Sequence, residues 1–96
     1  MGYEVRGFGH IEGEFTETEM KNIYEMFIDN PDFYNVDNVG TIYFEMSGNK
    51  GIDYEPLNNI KKQILKMGSH PFQIIVGEYQ ECDGGYYFDT EEEVGK

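Results

Sequence analysis

What is scarce in this sequence limits how the protein can be stabilised. It contains a single cysteine, Cys82, so an intramolecular disulfide is impossible, and no repeated Cys/His spacing predicts a structural zinc site. Tryptophan is absent, and no apolar run is long enough to span a bilayer. Stability must therefore come from packing, and we expect no insertion into a membrane.

Basic residues are also few. Seven Lys and Arg stand against 19 Asp and Glu, which gives a formal net charge of -12 at pH 7. Phosphate backbones and anionic lipid surfaces select for Lys and Arg, so this charge disfavours direct binding to nucleic acid or to a membrane surface. Residues 1–6 lack the basic-then-apolar pattern of a signal peptide, and we expect a cytoplasmic protein.

Core-forming side chains are abundant. Seven Phe and eight Tyr bring the aromatic fraction to 16% within a hydrophobic fraction of 39%, which is too rich for a disordered polymer. A chain of 96 residues suits one hydrophobic core. The sequence therefore predicts a single domain over residues 1–90, followed by an acidic tail at 91–96.

The first half of the chain predicts a strand and then a helix. Residues 3–15 alternate apolar and polar side chains, which is the period of a half-buried strand. Thr16 and Glu19 have the spacing of a capping box, and the helix that begins there ends at Asn30, before a proline. Its apolar stripe consists of Met20, Ile23, Tyr24, Phe27 and Ile28.

The second half predicts a hairpin, a helix and two strands. Residues 41–46 and a short segment at 52–54 flank a cluster of turn-forming residues, which predicts a hairpin. A helix starts at Pro56 and ends at Gly68, with the apolar stripe Leu57, Ile60, Ile64 and Met67. Residues 72–81 and 86–89 predict strands joined by a tight turn that includes Cys82.

This order of elements predicts an α+β fold. The succession β-α-β-β-α-β with an extra C-terminal strand resembles the ferredoxin-like arrangement, in which two helices pack on one face of an antiparallel sheet. Gly7, Gly9 and Gly13 share the apolar phase of the first strand. They predict close packing or a bend rather than a ligand loop, because the segment matches no phosphate-binding fingerprint.

The alternate strand positions that do not carry the core side chains form the candidate binding site. It contains aromatic and acidic side chains, and we predict that a partner contacts Glu4, Phe8, His10, Glu12, Glu14, Tyr43 and Glu45. RNA-binding domains of this topology pair such aromatics with Lys and Arg, which this face almost lacks. Rings among carboxylates instead favour a basic protein partner, with an ordinary solvated sheet face as the alternative.

No set of residues predicts catalysis. His10 and His70 lie on different elements, and Cys82 precedes Asp83, whose negative charge disfavours the thiolate. Glu12 and Glu14 have a spacing compatible with paired acid and base, but nothing apolar nearby separates their proton affinities. We therefore predict a protein that is not an enzyme and that has no cofactor and no metal site.

In size, acidity, aromatic content and lack of catalytic motifs, the chain resembles small phage-type inhibitor proteins of the anti-CRISPR and anti-restriction kind, several of which are nucleic-acid mimics. The resemblance implies steric and electrostatic inhibition of a basic, nucleic-acid-handling protein. Two alternatives stay open. One is an immunity protein or antitoxin against a basic toxin. The other is a small-ligand sensor or homo-oligomeric enzyme subunit with a pocket beside residues 32–40, which dimerisation through the sheet face would favour.

Overall fold

The described residues form seven helices and strands. The structure is a computed structural model that describes residues 4–67, 71–82 and 85–94, with side chains described for 4–67 and 71–79. The elements are β1 (Glu4–Gly13), α1 (Glu17–Ile28), β2 (Tyr34–Asn38), β3 (Ile42–Asn49), α2 (Glu55–Met67), β4 (Phe72–Cys82) and β5 (Gly85–Val94).

The strands form one five-stranded sheet in the order β2-β3-β1-β4-β5, and each neighbouring pair is antiparallel. β1 lies at the centre, where Phe8 is opposite Glu45 of β3 and Gly77 of β4. The first four strands have the ferredoxin-like order, and β5 extends the sheet beside β4. The predicted α+β fold with an extra C-terminal strand is confirmed.

Helix α1 begins as the sequence predicts. The Glu19 amide donates to the Thr16 hydroxyl at 3.1 Å, and the Thr16 amide donates to the Glu19 carboxylate at 2.8 Å. Ile23 and Phe27 are fully buried, but Ile28 is 48% exposed, so its predicted place in the core is wrong. One residue turns a helix by about 100°, which carries Ile28 away from the face that Phe27 directs to the sheet.

Both helices cover the same face of the sheet, and the core lies between the layers. The helices contribute Ile23, Phe27, Leu57, Ile60 and Ile64 to the buried cluster, and the segment before β2 contributes Phe33. The strands contribute Ile11, Ile42, Phe44, Met46, Phe72, Ile74 and Val76. Phe44 stacks on Phe27 at a centroid distance of 4.7 Å, and Phe33 meets both rings edge-on. These three rings form the aromatic centre of the core.

The glycines of β1 make room for that core. A Cβ placed on Gly9 would overlap the ring of Phe44, and one on Gly7 would lie 2.7 Å from Ile52 Cδ1. The pairing of β1 with β3 runs without interruption from Glu4 to Ile11, so no bulge is involved. The predicted close packing is confirmed. The side chains that approach these glycines are Phe44 of β3 and Ile52 of the segment before α2.

The predicted hairpin is wrong in one of its strands. β3 pairs with β2, which lies before it, and residues 52–54 lead into α2 with Ile52 and Tyr54 packed against the core. β2 was not recognised because its sequence is polar and its geometry is irregular. Asn35 has a positive φ of 51°, and the register shifts between Tyr34 and Asp37.

The C-terminal strand is longer than predicted. β5 pairs with β4 from Gly85 to Val94, so residues 91–94, which the sequence assigned to an acidic tail, continue the strand. Residues 91–94 pair with Ile74–Gly77, the apolar part of β4. The predicted helix cap at Gly68, the turn residues 83–84 and the last two residues lie outside the described residues.

Candidate functional site: the open face of the sheet

The sheet face opposite the helices, called the open face below, holds most of the predicted site. Val5, Gly7, Gly9 and Ile11 are buried towards the helices, so the intervening residues of β1 point the other way. The face carries Glu4, Arg6, Phe8, His10 and Glu12 from β1, Tyr43 and Glu45 from β3, and Tyr79 from β4.

The structure therefore brings together all of the predicted site residues except Glu14. That residue is exposed, but it lies just beyond the last residue of β1, so the alternation of the strand does not fix its direction. Tyr79 of β4 also lies on this face, and its ring meets Phe8 edge-on at a centroid distance of 5.2 Å. The role of these residues in binding stays a prediction.

Four side chains form the middle of the open face. Glu45 is opposite Phe8, and Tyr43 is opposite His10, so they form a block of two by two on the central strands. The rings of Phe8 and Tyr43 are 42% and 47% exposed. Together with Asn35 of β2, the block lines a shallow depression of about 350 Å³. This depression combines aromatic surface with a carboxylate.

Arg6 occupies one side of this block and is held by several groups. Its Nη2 donates to Glu45 Oε1 at 3.3 Å, its Nε donates to the Tyr34 hydroxyl at 3.4 Å, and Nε lies 3.7 Å from Glu4 Oε1. The guanidinium carbon is 5.7 Å from the ring centroid of Phe8 and 5.8 Å from that of Tyr34. Arg6 therefore offsets part of the negative charge that the sequence suggested for this face.

Glu45 is held from both sides. Its second oxygen, Oε2, accepts a hydrogen bond from Asn35 Nδ2 at 2.9 Å, while Oε1 accepts from Arg6. The side chain of Glu45 is only 20% exposed. Sequence reasoning missed this network because Tyr34 and Asn35 belong to β2, the strand that it did not recognise. The sequence signal for it was the spacing of Arg6 and Phe8, which are two residues apart on β1, so that both side chains point to the same face of the sheet.

His10 and Glu12 lie at the other end of the block. His10 Nε2 and Glu12 Oε1 are 3.0 Å apart, and the imidazole centroid is 5.8 Å from that of Tyr43. Glu12 is exposed and its charge faces solvent. The rim of the open face at this end is therefore acidic and accessible.

The described part of the chain offers no candidate metal site. Over those residues, no three His, Cys, Asp or Glu side chains are grouped so that they could hold a metal ion. His70 and the side chain of Cys82 lie outside the described groups, so the inert character predicted for Cys82 stays a prediction. Neither described helix is long and apolar enough to cross a membrane.

The described residues also form concavities away from the open face. A groove of about 600 Å³ separates the end of α1 from α2 and is lined by Asn22, Glu25, Met26, Asp29, Asn30, Pro31 and Gln63. A second, of about 360 Å³, lies where α1 meets the loop after β2, with Met20 and Asn38 in its lining. The second is near the pocket predicted beside residues 32–40. The first was not foreseen, because it depends on how the two helices face each other.

Comparison with known proteins adds no assignment. No protein-family model matches the chain, and no curated protein sequence matches it. One solved structure has some likeness, LarC2, the C-terminal domain of a cyclometallase involved in the synthesis of the NPN cofactor of lactate racemase, in its apo form. It is 9% identical, with a TM-score of 0.38 over 100% of this chain and 81% of that one, a likeness too low to support an argument about function.

Proposed function

We propose that this protein is a non-catalytic inhibitor that binds a basic, nucleic-acid-handling protein through its open face in the cytoplasm. It would act in the manner of the anti-CRISPR and anti-restriction proteins that it resembles in character. The observation that supports this function best is the pair of exposed rings, Phe8 and Tyr43, on the neighbouring strands β1 and β3, on the sheet face opposite the helices.

Large exposed rings at the centre of a sheet are suited to a protein interface. Isolated apolar residues on a surface are ordinary, but Phe8 and Tyr43 line one depression together. Tyr and Phe are enriched at interfaces, and residues that dominate binding energy cluster at the centre and are ringed by polar groups. Glu4 and Glu12, which are exposed on β1, provide such a polar rim.

The charge supports a basic partner. The protein extends 43 Å along its longest axis and 23 Å across, and it carries 19 acidic residues. Duplex DNA of the same length carries about 25 phosphate charges, at one per ~1.7 Å. The net charge of -12 is therefore about half that of DNA of this length, and a groove lined with Lys and Arg would attract both.

Site-specific photo-crosslinking in a lysate of the cells that express the protein tests this function. A p-benzoylphenylalanine residue at position 43 replaces an exposed ring of the open face, and the same residue at position 65 replaces an equally exposed leucine of α2. We expect position 43, and not position 65, to crosslink a basic protein, and we expect a short DNA duplex to suppress that crosslink. Equal crosslinking at both positions, or none at 43, would contradict the proposal.

A homo-oligomer is the second candidate, because the same exposed rings would also be covered in a symmetric dimer. A net charge of -12 on each copy opposes that association, since two acidic faces repel each other at close range. Crosslinks from position 43 to a second copy of the chain, with a dimer in sedimentation equilibrium at micromolar concentration, would favour this candidate. A captured toxin would instead identify an immunity protein or antitoxin.

A further inference from the structure

We propose that the depression at the middle of the open face binds an arginine side chain supplied by the partner. This inference rests on the proposed function and names the group that the site recognises. The depression, of about 350 Å³, is lined by Phe8, His10, Asn35, Tyr43 and Glu45, so two exposed rings and one carboxylate converge on it.

The chain already binds one guanidinium on this face. Arg6 lies over the rings of Phe8 and Tyr34 at 5.7 and 5.8 Å and donates to Glu45 at 3.3 Å. Cation-π attraction operates at such distances, and carboxylates are the preferred acceptors of guanidinium donors. The depression offers the same kinds of group, sharing Phe8 and Glu45 with the Arg6 contacts and adding Tyr43.

Glu45 has capacity for a further donor. Among the described residues, Arg6 donates to Oε1 and Asn35 donates to Oε2. An ionised carboxylate has about four lone-pair sites on its two oxygens, so an incoming N–H can be accepted without displacing either donor. The two existing bonds also fix the orientation of the carboxylate, which lowers the entropy lost when a third group binds.

The lining selects arginine over other side chains. A planar guanidinium stacks on aromatic faces while its edge donates to a carboxylate, whereas the lysine ammonium is compact and strongly hydrated. The described lining contains a carboxylate and no Lys or Arg, which disfavours an anion, and an apolar side chain would remove water from that carboxylate without replacing the lost hydrogen bonds. The volume lies at the small end of the range for small-molecule sites, and it has room for one guanidinium-bearing side chain.

Amide chemical-shift titration tests the inference with two probes, N-acetyl-arginine amide and N-acetyl-lysine amide. We expect arginine to give saturable shifts concentrated at residues 8, 10, 43 and 45, with weaker binding of lysine. Tyr43→Ala should weaken arginine binding about fivefold, the loss expected for one exposed cation-π contact. Tyr43→Phe, which keeps the ring, should bind like the wild type, and so should Leu65→Ala on α2.

Unsaturable arginine shifts spread over the acidic surface would overturn the inference, and so would equal affinity in Tyr43→Ala. The spectrum itself reports whether each variant is folded, and Tyr43→Phe separates loss of the ring from loss of the hydroxyl. The proposed function fails on a different result. If the arginine probe does not bind while position 43 still crosslinks a basic protein, only the arginine site is wrong. If arginine binds and position 43 captures no basic protein, the site stands and the inhibitor function is wrong.

Discussion

Replacing Phe27 with alanine tests the core on which the open face depends. Phe27 is fully buried on α1 and touches two other rings, stacking on Phe44 at 4.7 Å and meeting Phe33 edge-on at 4.8 Å. The substitution removes the ring from the middle of this cluster. It leaves a cavity beneath β3, the strand that carries Tyr43 and Glu45.

The expected loss in the free energy of unfolding is large. Truncation of a buried Phe to Ala costs about 3–5 kcal/mol, and each aromatic pair adds about 0.5–1.5 kcal/mol beyond the area that it buries. With two such pairs, Phe27→Ala belongs near the upper end, at about 4–5 kcal/mol. At a urea slope of about 2 kcal/mol/M, the midpoint should fall by about 2 M.

Urea denaturation followed by far-ultraviolet circular dichroism measures this change. The matched control is Ile28→Ala, the next residue of the same helix, which is 48% exposed and should lose no more than about 0.5 kcal/mol. Should Phe27→Ala fail to fold, Phe27→Leu fills most of the volume and should cost about 1.5 kcal/mol. Equal losses at positions 27 and 28 would refute the described orientation of α1.

Two further predictions concern local geometry, each read from urea denaturation. Thr16→Ala removes the helix cap and should lower the free energy of unfolding by about 1 kcal/mol. Its control is Thr18→Ala, at an exposed site inside α1, which should lower it by less. Equal losses would contradict the capping box. Gly9→Ala places a methyl group against Phe44 and should lower the free energy of unfolding by about 1–3 kcal/mol. Its control is Gly51→Ala, whose methyl group meets nothing within 4 Å and which should lower it by less. A Gly9→Ala variant as stable as the wild type would show that the Phe44 ring is free to move.

Local signals made much of the fold predictable. The capping box at Thr16 and the stripe through Ile23 and Phe27 fix α1 from a few neighbouring residues, and the structure has both. β2 could not be found in this way. Its residues are polar, Asn35 is in a left-handed conformation, and its place in the sheet comes from pairing with β3 rather than from its own pattern.

The same distinction applies to the site. Alternation along β1 and β3 predicted that Phe8, His10, Tyr43 and Glu45 share one face, because side-chain direction in a strand follows from sequence phase alone. The contacts of Arg6 could not be predicted. They require Tyr34 beside Met46 and Glu45, and that proximity is a tertiary property of the β2–β3 pair.

The structure also changes which acids should steer a partner. Glu45 is largely enclosed and paired with Arg6, so reversing its charge would disturb the sheet face as well as the surface potential. Glu4 and Glu12 are exposed on the open face, and exposed charges change stability by only about half a kcal/mol. Glu4→Gln with Glu12→Gln is therefore the cleaner test of electrostatic attraction.

The rate of association with the captured partner, measured by surface plasmon resonance over a series of salt concentrations, tests the central claim most directly. Long-range attraction raises the encounter rate and is screened over about 8 Å at physiological salt, so wild-type association should slow as salt increases. The Glu4→Gln, Glu12→Gln variant should associate more slowly and respond less to salt. A control with the same loss of charge at exposed sites on α1 and in the segment after it, Glu25→Gln with Asp32→Asn, should stay close to the wild type. Equal rates and equal salt slopes in the two variants would contradict binding through the open face.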